Sequence, residues 1–271
     1  MVDTGFVQRP DARLHYQADH RSDAAPWLVF CNSLLTDLTV WDGQMDAFRE
    51  RFNILRYDQR GHGKSTDPDQ PLNFDILGSD AIAVMTQCGV RSATFIGLSM
   101  GTPTALDVWA KRPDLIDRLI LCDGQARPSP QGIALWDQRV DEARQIGLEA
   151  YCKATLKRWF GADFLQSHPE RAQQFQKMMI GTRFTGFEFC VRALQSFDYT
   201  ALLPKIDIPT QIIVGADDGG LPDVMRKMQN SIHDCQLAEI KNAGHIPNVE
   251  QPSTFNQTIT AFVENKRQSA S

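Results

Sequence analysis

The chain has 271 residues, 42% of them hydrophobic, and a formal net charge of −5. That length suits one α/β domain carrying an insertion, with enough apolar residues for a large core. The acidic balance and the lack of any basic run exclude nucleic acid as the main partner, and no apolar stretch reaches the about 18 residues that span a membrane.

Residues 5–8 and 13–18 read as a short opening hairpin around Pro10-Asp11. Trp27–Cys31 is apolar throughout, as a strand buried on both faces is. Asn53–Tyr57 is the next strand, followed by residues 93–96, 119–122 and 211–214, with Cys235–Ile240 as the last. Helical patterns lie between most of them, at residues 44–51, 74–88 and 100–111. A final helix is expected over residues 253–266, with Ser253 as its N-cap. This alternation predicts an α/β fold, a mostly parallel sheet flanked by helices on both faces.

The alternation breaks between residues 125 and 203, where the chain is helix-like, aromatic and cut by glycines. That stretch reads as a helical cap inserted after the sixth strand. The core is then expected in two parts, residues 1–124 and 204–271. Residues 267–271 read as a frayed tail.

The six cysteines (Cys31, Cys88, Cys122, Cys152, Cys190 and Cys235) show no C-x-x-C pair, and several sit in apolar runs. Free thiols in a reducing cytoplasm fit that pattern. The opening residues, Met1-Val2-Asp3-Thr4-Gly5-Phe6, lack the basic and apolar regions of a signal peptide. A cytoplasmic location is expected.

Ile96-Gly97-Leu98-Ser99-Met100-Gly101 carries the chemistry. It reads Gly-x-Ser-x-Gly between a strand and a helix, the context of a nucleophile elbow. Glycines without a Cβ let strand and helix close around the serine. The Met100 amide opens a helix whose N-terminus favours negative charge.

A serine hydroxyl is a weak nucleophile and needs a base within hydrogen-bond reach. Of the six histidines, His245 lies in a loop just after the last strand, where parallel sheets place their sites. A carboxylate must orient the imidazole. Asp217-Asp218 follows another strand end, and chemistry alone does not separate the two. The oxyanion hole needs two backbone amides. Met100 is one, and the loop Asn32-Ser33-Leu34-Leu35 supplies the other, assigned to Leu34. Asp58-Gln59-Arg60-Gly61-His62-Gly63-Lys64-Ser65 lacks the spacing of a phosphate loop and reads as a brace at the site entrance. No His/Cys/Asp set has metal-ligand spacing, so neither metal nor cofactor is expected.

Together these residues resemble the α/β-hydrolase superfamily. Asp58 to Ser65 resembles its D-x-R-G-x-G-x-S loop, and Gly215-x-x-Asp218-x-x-x-Pro222 resembles its acid loop, which implies Asp218 as the acid. Within the superfamily the chain is most similar to 3-oxoadipate enol-lactonases. Asn32-Ser33-Leu34, Arg158-Trp159-Phe160 and Gly244-His245-Ile246-Pro247-Asn248-Val249-Glu250-Gln251-Pro252 carry that likeness. The chain departs from the family at Leu35 and Thr102, where glycine is usual, and at Ala193-Leu194-Gln195-Ser196-Phe197-Asp198, where an arginine is missing.

The resemblance implies a hydrolase fold with an inserted cap and a Ser99–Asp218–His245 triad opening 3-oxoadipate enol-lactone. Such a substrate carries a carboxylate, for which Arg139, Arg158 and Arg192 are the candidate cations; Trp136 and Trp159 are expected to line the pocket. The partner is then a small ester or lactone, with oligomeric state left open, including a homo-oligomer. The rival readings are a related esterase, lactonase or carbon–carbon bond hydrolase, a haloperoxidase-like enzyme, and a ligand receptor on the same fold.

Overall fold

Six strands run parallel because helices carry the chain back between them, and two antiparallel strands close one edge. The computed structural model describes residues 2–265. The strands are β1 (Val2–Gln8), β2 (Arg13–Asp19), β3 (Trp27–Cys31), β4 (Asn53–Tyr57), β5 (Ala93–Leu98), β6 (Ile116–Cys122), β7 (Thr210–Gly215) and β8 (Cys235–Ile240). They form one sheet in the order β1-β2-β4-β3-β5-β6-β7-β8. The hairpin β1–β2 and the β2–β4 pair are antiparallel, and every other neighbour is parallel.

The helices between strands are α1 (Asp42–Phe48), α2 (Phe74–Gln87), α3 (Gly101–Lys111) and, after the insertion, α9 (Leu221–Gln229); α10 (Pro247–Glu250) and α11 (Pro252–Glu264) follow the last strand. Asn73 caps α2 by accepting from the Ile76 amide. The final helix starts at Pro252, one residue earlier than expected, and Ser253 does not cap it; Pro252 itself supplies the preset φ of a first turn. Residues 266 and 267–271, including the expected tail, lie outside the described residues.

Strands β4, β5 and β7 are buried along their whole length. Two apolar layers result. One packs Phe30, Trp41, Phe48 and Phe255 beneath α1 and α11. The other packs Val29, Leu55, Phe95 and Leu121 beneath α2 and α3. All six cysteines are free thiols. Among the described residues no helix is long and apolar enough to cross a membrane.

Between β6 and β7 the chain leaves the sheet for five helices: α4 (Pro130–Ile146), α5 (Leu148–Trp159), α6 (Ala162–Ser167), α7 (Pro169–Ile180) and α8 (Phe184–Gln195). Ser129 caps α4 through the Gly132 amide. Phe160 packs against both Phe164 and Phe175 inside this insertion.

The sheet has its switch point between β3 and β5, since β4 lies on one side of β3 and β5 on the other. Loops leaving those two strands diverge and open a crevice there. The loops after β7 and β8 approach from the same end, backbone against backbone. A Cβ on Gly215 would sit 1.9 Å from the Gly244 carbonyl oxygen and 2.5 Å from that of Ala243. Gly215→Ala is therefore expected to destabilise the protein by about 1–3 kcal/mol. Thermal unfolding should show a Tm lowered by roughly 3–10 °C.

Candidate active site

β5 ends at Leu98 and α3 begins at Gly101, so Ser99 and Met100 alone reverse the chain. Ser99 takes φ 54°, the left-handed region, which a residue with a Cβ rarely occupies. Its N–H donates to the Cys122 carbonyl at 2.8 Å, and its carbonyl accepts from Thr102 N at 3.0 Å. The flanking glycines are required by contact. A Cβ on Gly97 would meet the Gly101 oxygen at 2.1 Å, and one on Gly101 would meet the Cys31 oxygen at 2.4 Å. Thr102 ties the same turn, its hydroxyl lying 3.1 Å from the carbonyl oxygens of Gly97 and Cys122.

The turn presents Ser99 to His245. The Ser99 hydroxyl lies 2.9 Å from His245 Nε2, and His245 Nδ1 lies 2.7 Å from Asp218 Oδ2. An ionised carboxylate only accepts, so Nδ1 carries the proton and Nε2 is the free base facing the serine. Asp217 is exposed and contributes its backbone N–H to the Ala243 carbonyl. His245 is held from behind. Its N–H donates to the Trp159 carbonyl at 2.9 Å, and the Trp159 ring lies 5.3 Å from the imidazole. Glu250 accepts from Gly244 N at 2.6 Å and Gly161 N at 3.1 Å, joining the His245 loop to the end of α5. Burial raises the Glu250 pKa against those two bonds.

The loop after β3 is fixed by the loop after β4. Asn32 Nδ2 donates to the Tyr57 carbonyl at 2.8 Å, and its Oδ1 accepts from Trp41 Nε1 at 2.9 Å. Leu35 takes φ 62°, and its N–H donates to His62 Nε2 at 2.9 Å. Burial lowers the His62 pKa and keeps it neutral, as this acceptor role needs. Asp58 Oδ1 accepts from Leu38 N at 2.8 Å. Residues 58–65 were expected at the entrance, but none of them lines the cavity over Ser99. They brace the Leu34–Leu35 turn from beneath. Both Leu34 and Met100 are buried, and among the described residues neither backbone N–H donates to a protein acceptor.

A cavity of about 350 Å³ opens over Ser99 and His245. Leu34 and Asp218 form part of the core wall; Trp136, Arg139, Arg158 and Trp159 come from the insertion. Trp136 and Arg139 share one face of α4, three residues apart, with the guanidinium 4.6 Å from the indole centroid. Arg158 stacks over Tyr151 at 5.0 Å and donates to Thr155 Oγ1. Among the described residues, neither Arg139 nor Arg158 has a carboxylate within salt-bridge distance. Burial lowers the Arg139 pKa, with Tyr151 opposing it. Arg192 does not join them. It sits two residues from the cavity-lining Leu194, on the other side of α8, and pairs with Asp137 at 2.7 Å and Glu188 at 3.8 Å.

Asp123 escaped the sequence reading, and Glu250 entered it only as part of the Gly244–Pro252 likeness, with no role. Asp123 follows β6 directly, at φ 42°, and its Oδ1 accepts from Gly215 N at 2.8 Å. The signal available was its place at a carboxyl strand end. One oxygen each from Asp123 and Asp218 and one nitrogen of His245 lie within 4.8 Å of one another. That donor set does not suit a resident metal, because His245 spends both nitrogens on Ser99 and Asp218.

Comparison with known proteins agrees with this architecture. A family model described as the alpha/beta hydrolase fold matches residues 26–252. The chain is 31% identical over 256 residues to 3-oxoadipate enol-lactonase 2 of Acinetobacter baylyi, covering 94% of each. Among solved structures it superposes on the enol-lactonase of Burkholderia xenovorans with a TM-score of 0.90 at 33% identity, covering 96% of this chain and 99% of that one. A hydrolase from Pseudomonas aeruginosa matches at a TM-score of 0.90 and 30% identity, over 97% and 98% of the two chains. With the sheet order, the strained serine turn and a match across most of its length, the chain belongs to the α/β-hydrolase family.

Proposed function

We propose that the protein is a serine hydrolase that opens a small carboxylate-bearing lactone, with 3-oxoadipate enol-lactone as substrate. The observation that carries the reading is the unbroken hydrogen-bond chain from Asp218 through His245 to Ser99, at 2.7 and 2.9 Å, at the floor of a cavity lined by two arginines. The enol-lactonase likenesses, at 31% and 33% identity, support the substrate.

In this reading Ser99 Oγ attacks the lactone carbonyl while His245 Nε2 takes its proton. Asp218 balances the imidazolium that forms. The carbonyl oxygen gains negative charge and is held by the Leu34 and Met100 amides, at the start of α3. Collapse breaks the ring C–O bond, and Nε2–H returns the proton to the departing enol oxygen. An enol leaves more readily than an alkoxide, so acylation is the easier half. Water, deprotonated by His245, then attacks the acyl-enzyme and frees Ser99. The enol product relaxes to the 3-oxo acid. Arg139 and Arg158 hold the distal carboxylate, which places the ring carbonyl over Ser99.

Two experiments test this. Loss of the enol-lactone ultraviolet absorbance should be rapid with the wild type, and Ser99→Ala should lower kcat by about 10⁴-fold or more. Retention of p-nitrophenyl acetate cleavage through Ser99 without lactone turnover would keep the hydrolase and reject the substrate. Arg139→Met and Arg158→Met should each lower kcat/KM for the lactone by about 10- to 100-fold, the worth of a charged hydrogen bond. Most of that loss should appear in KM. Cleavage of p-nitrophenyl acetate, which has no carboxylate, should change by less than about threefold in the same variants.

A further inference from the structure

We propose that Asp123 is a second positioning carboxylate for His245, placed to orient the imidazole and balance its charge when Asp218 is lost. The inference rests on the triad reading above.

The two oxygens of Asp123 have different surroundings. Oδ1 accepts from Gly215 N, the residue that opens the loop carrying Asp218. Oδ2 is buried with no hydrogen-bond partner among the described residues. Anchoring the Gly215 amide takes one acceptor atom, which an asparagine would supply. A carboxyl oxygen buried without a partner is costly and calls for an explanation. Asp123 also lines the cavity, and it lies within 4.8 Å of the reacting acid and base. The backbone is committed to the position as well, since Asp123 stands at φ 42° rather than in an ordinary strand end.

Charge around Asp123 says when it can act. It faces Asp218 on the loop after β7, His245 on the loop after β8 and Glu250 on α10. Burial raises its pKa well above the ordinary value, and the charge of Asp218 raises it further. Burial and the neighbouring carboxylates thus favour the protonated form of Asp123, so two carboxylates do not compete for one imidazole. Removing Asp218 removes one of the three causes that raise it, leaving burial and the charge of Glu250. Asp123 then releases its proton to solvent as the imidazolium forms beside it, and its carboxylate balances that charge.

The test is a double-mutant cycle on the whole chain, read by p-nitrophenyl acetate turnover from pH 5 to 9. Labelling of Ser99 with a fluorophosphonate counts intact sites. Asp218→Ala should keep a residual activity, roughly 10²- to 10⁴-fold below wild type. Its pH profile should gain an acidic limb from Asp123. Asp218→Ala with Asp123→Asn should lose about tenfold more and lose that limb. The same Asn substitution should cost several-fold less in the wild type, so the two sites couple. Equal costs in both backgrounds, or no limb to remove, would overturn the proposal. If Ser99→Ala leaves turnover intact, the triad reading itself fails, and that result is separate from the cycle.

Melting supplies an independent sign. The folded chain keeps the Asp123 proton where the unfolded chain, at an ordinary value of 3.8, has lost it. The stability tied to that proton is whole below about pH 4 and is lost as pH rises. Asp123→Asn should then melt at or above the wild type at pH 8, with the gap closing toward pH 4. An Asn variant that melts well below wild type at pH 8 would make Asp123 an ionised structural acid and overturn the assignment.

Discussion

The structure depends on holding Ser99, a residue with a side chain, in the left-handed turn between β5 and α3. That conformation costs of the order of 1–3 kcal/mol and persists only where its surroundings over-determine it. Here the turn is bonded at both ends, to Cys122 on β6 and to Thr102 on α3. It is also pressed against the β3 strand end through Gly101 and against its own strand through Gly97. Because β3 and β6 are the sheet neighbours of β5, the same contacts draw in the loops that leave them. The elbow is thus the point from which the Leu34 loop and Asp123 take their positions.

Charge is divided between the two halves of the molecule. The core wall carries the acids Asp218 and Asp123, both just beyond carboxyl strand ends. The insertion wall carries the arginines, on α4 and α5. Leaving Arg139 and Arg158 without carboxylates wastes attraction in the free protein, but it keeps the cations available to a ligand. In the proposed reading, that local reversal of sign admits an anionic substrate to an acidic chain. Glu250 joins the halves mechanically as well, by bonding Gly244 beside the base and Gly161 at the end of α5.

Much of this was legible in the residues. The strands Trp27–Cys31, Asn53–Tyr57 and Cys235–Ile240 have the bounds read from the residues; the first is the uninterrupted apolar run that a buried parallel strand needs, whereas the last, at the sheet edge, carries Gln236 and Glu239 and is mostly half-buried. The Gly-x-Ser-x-Gly run predicted the turn at Ser99, because its two glycines answer a local contact. What escaped is set by distance in sequence. Asp217 and Asp218 are separated only by which of them the turn points at a histidine 27 residues away. Arg192 looked like Arg139 and Arg158 until the phase of α8 was known, and that phase is set by packing. Asp123 meets its partners only across three strand ends. A histidine paired with an aspartate is not diagnostic either. His15 lies 2.7 Å from Asp58, as close as His245 to Asp218, yet its Nε2 is buried with no partner. A serine hydroxyl at the second nitrogen is what separates the two pairs.

Two of the departures from the enol-lactonase pattern, Leu35 and Thr102, fall where the backbone matters more than the side chain. Leu35 stands at φ 62°, where glycine would be relaxed, but the position needs only its N–H on His62 Nε2 and the shape of the turn. Thr102 replaces a small residue and repays its bulk with a hydroxyl close to two strand-end carbonyls. An oxyanion hole made of backbone amides tolerates such changes, because it reads the path of the chain and not the side chains along it. The changed segment Leu194 to Phe197 is different, since both of those residues line the cavity with apolar surface. In the proposed reading, reaction type and substrate choice are carried by separate parts of the chain: the elbow and its neighbouring strand ends set which bond is attacked, and α4, α5 and α8 set which molecule is held over them.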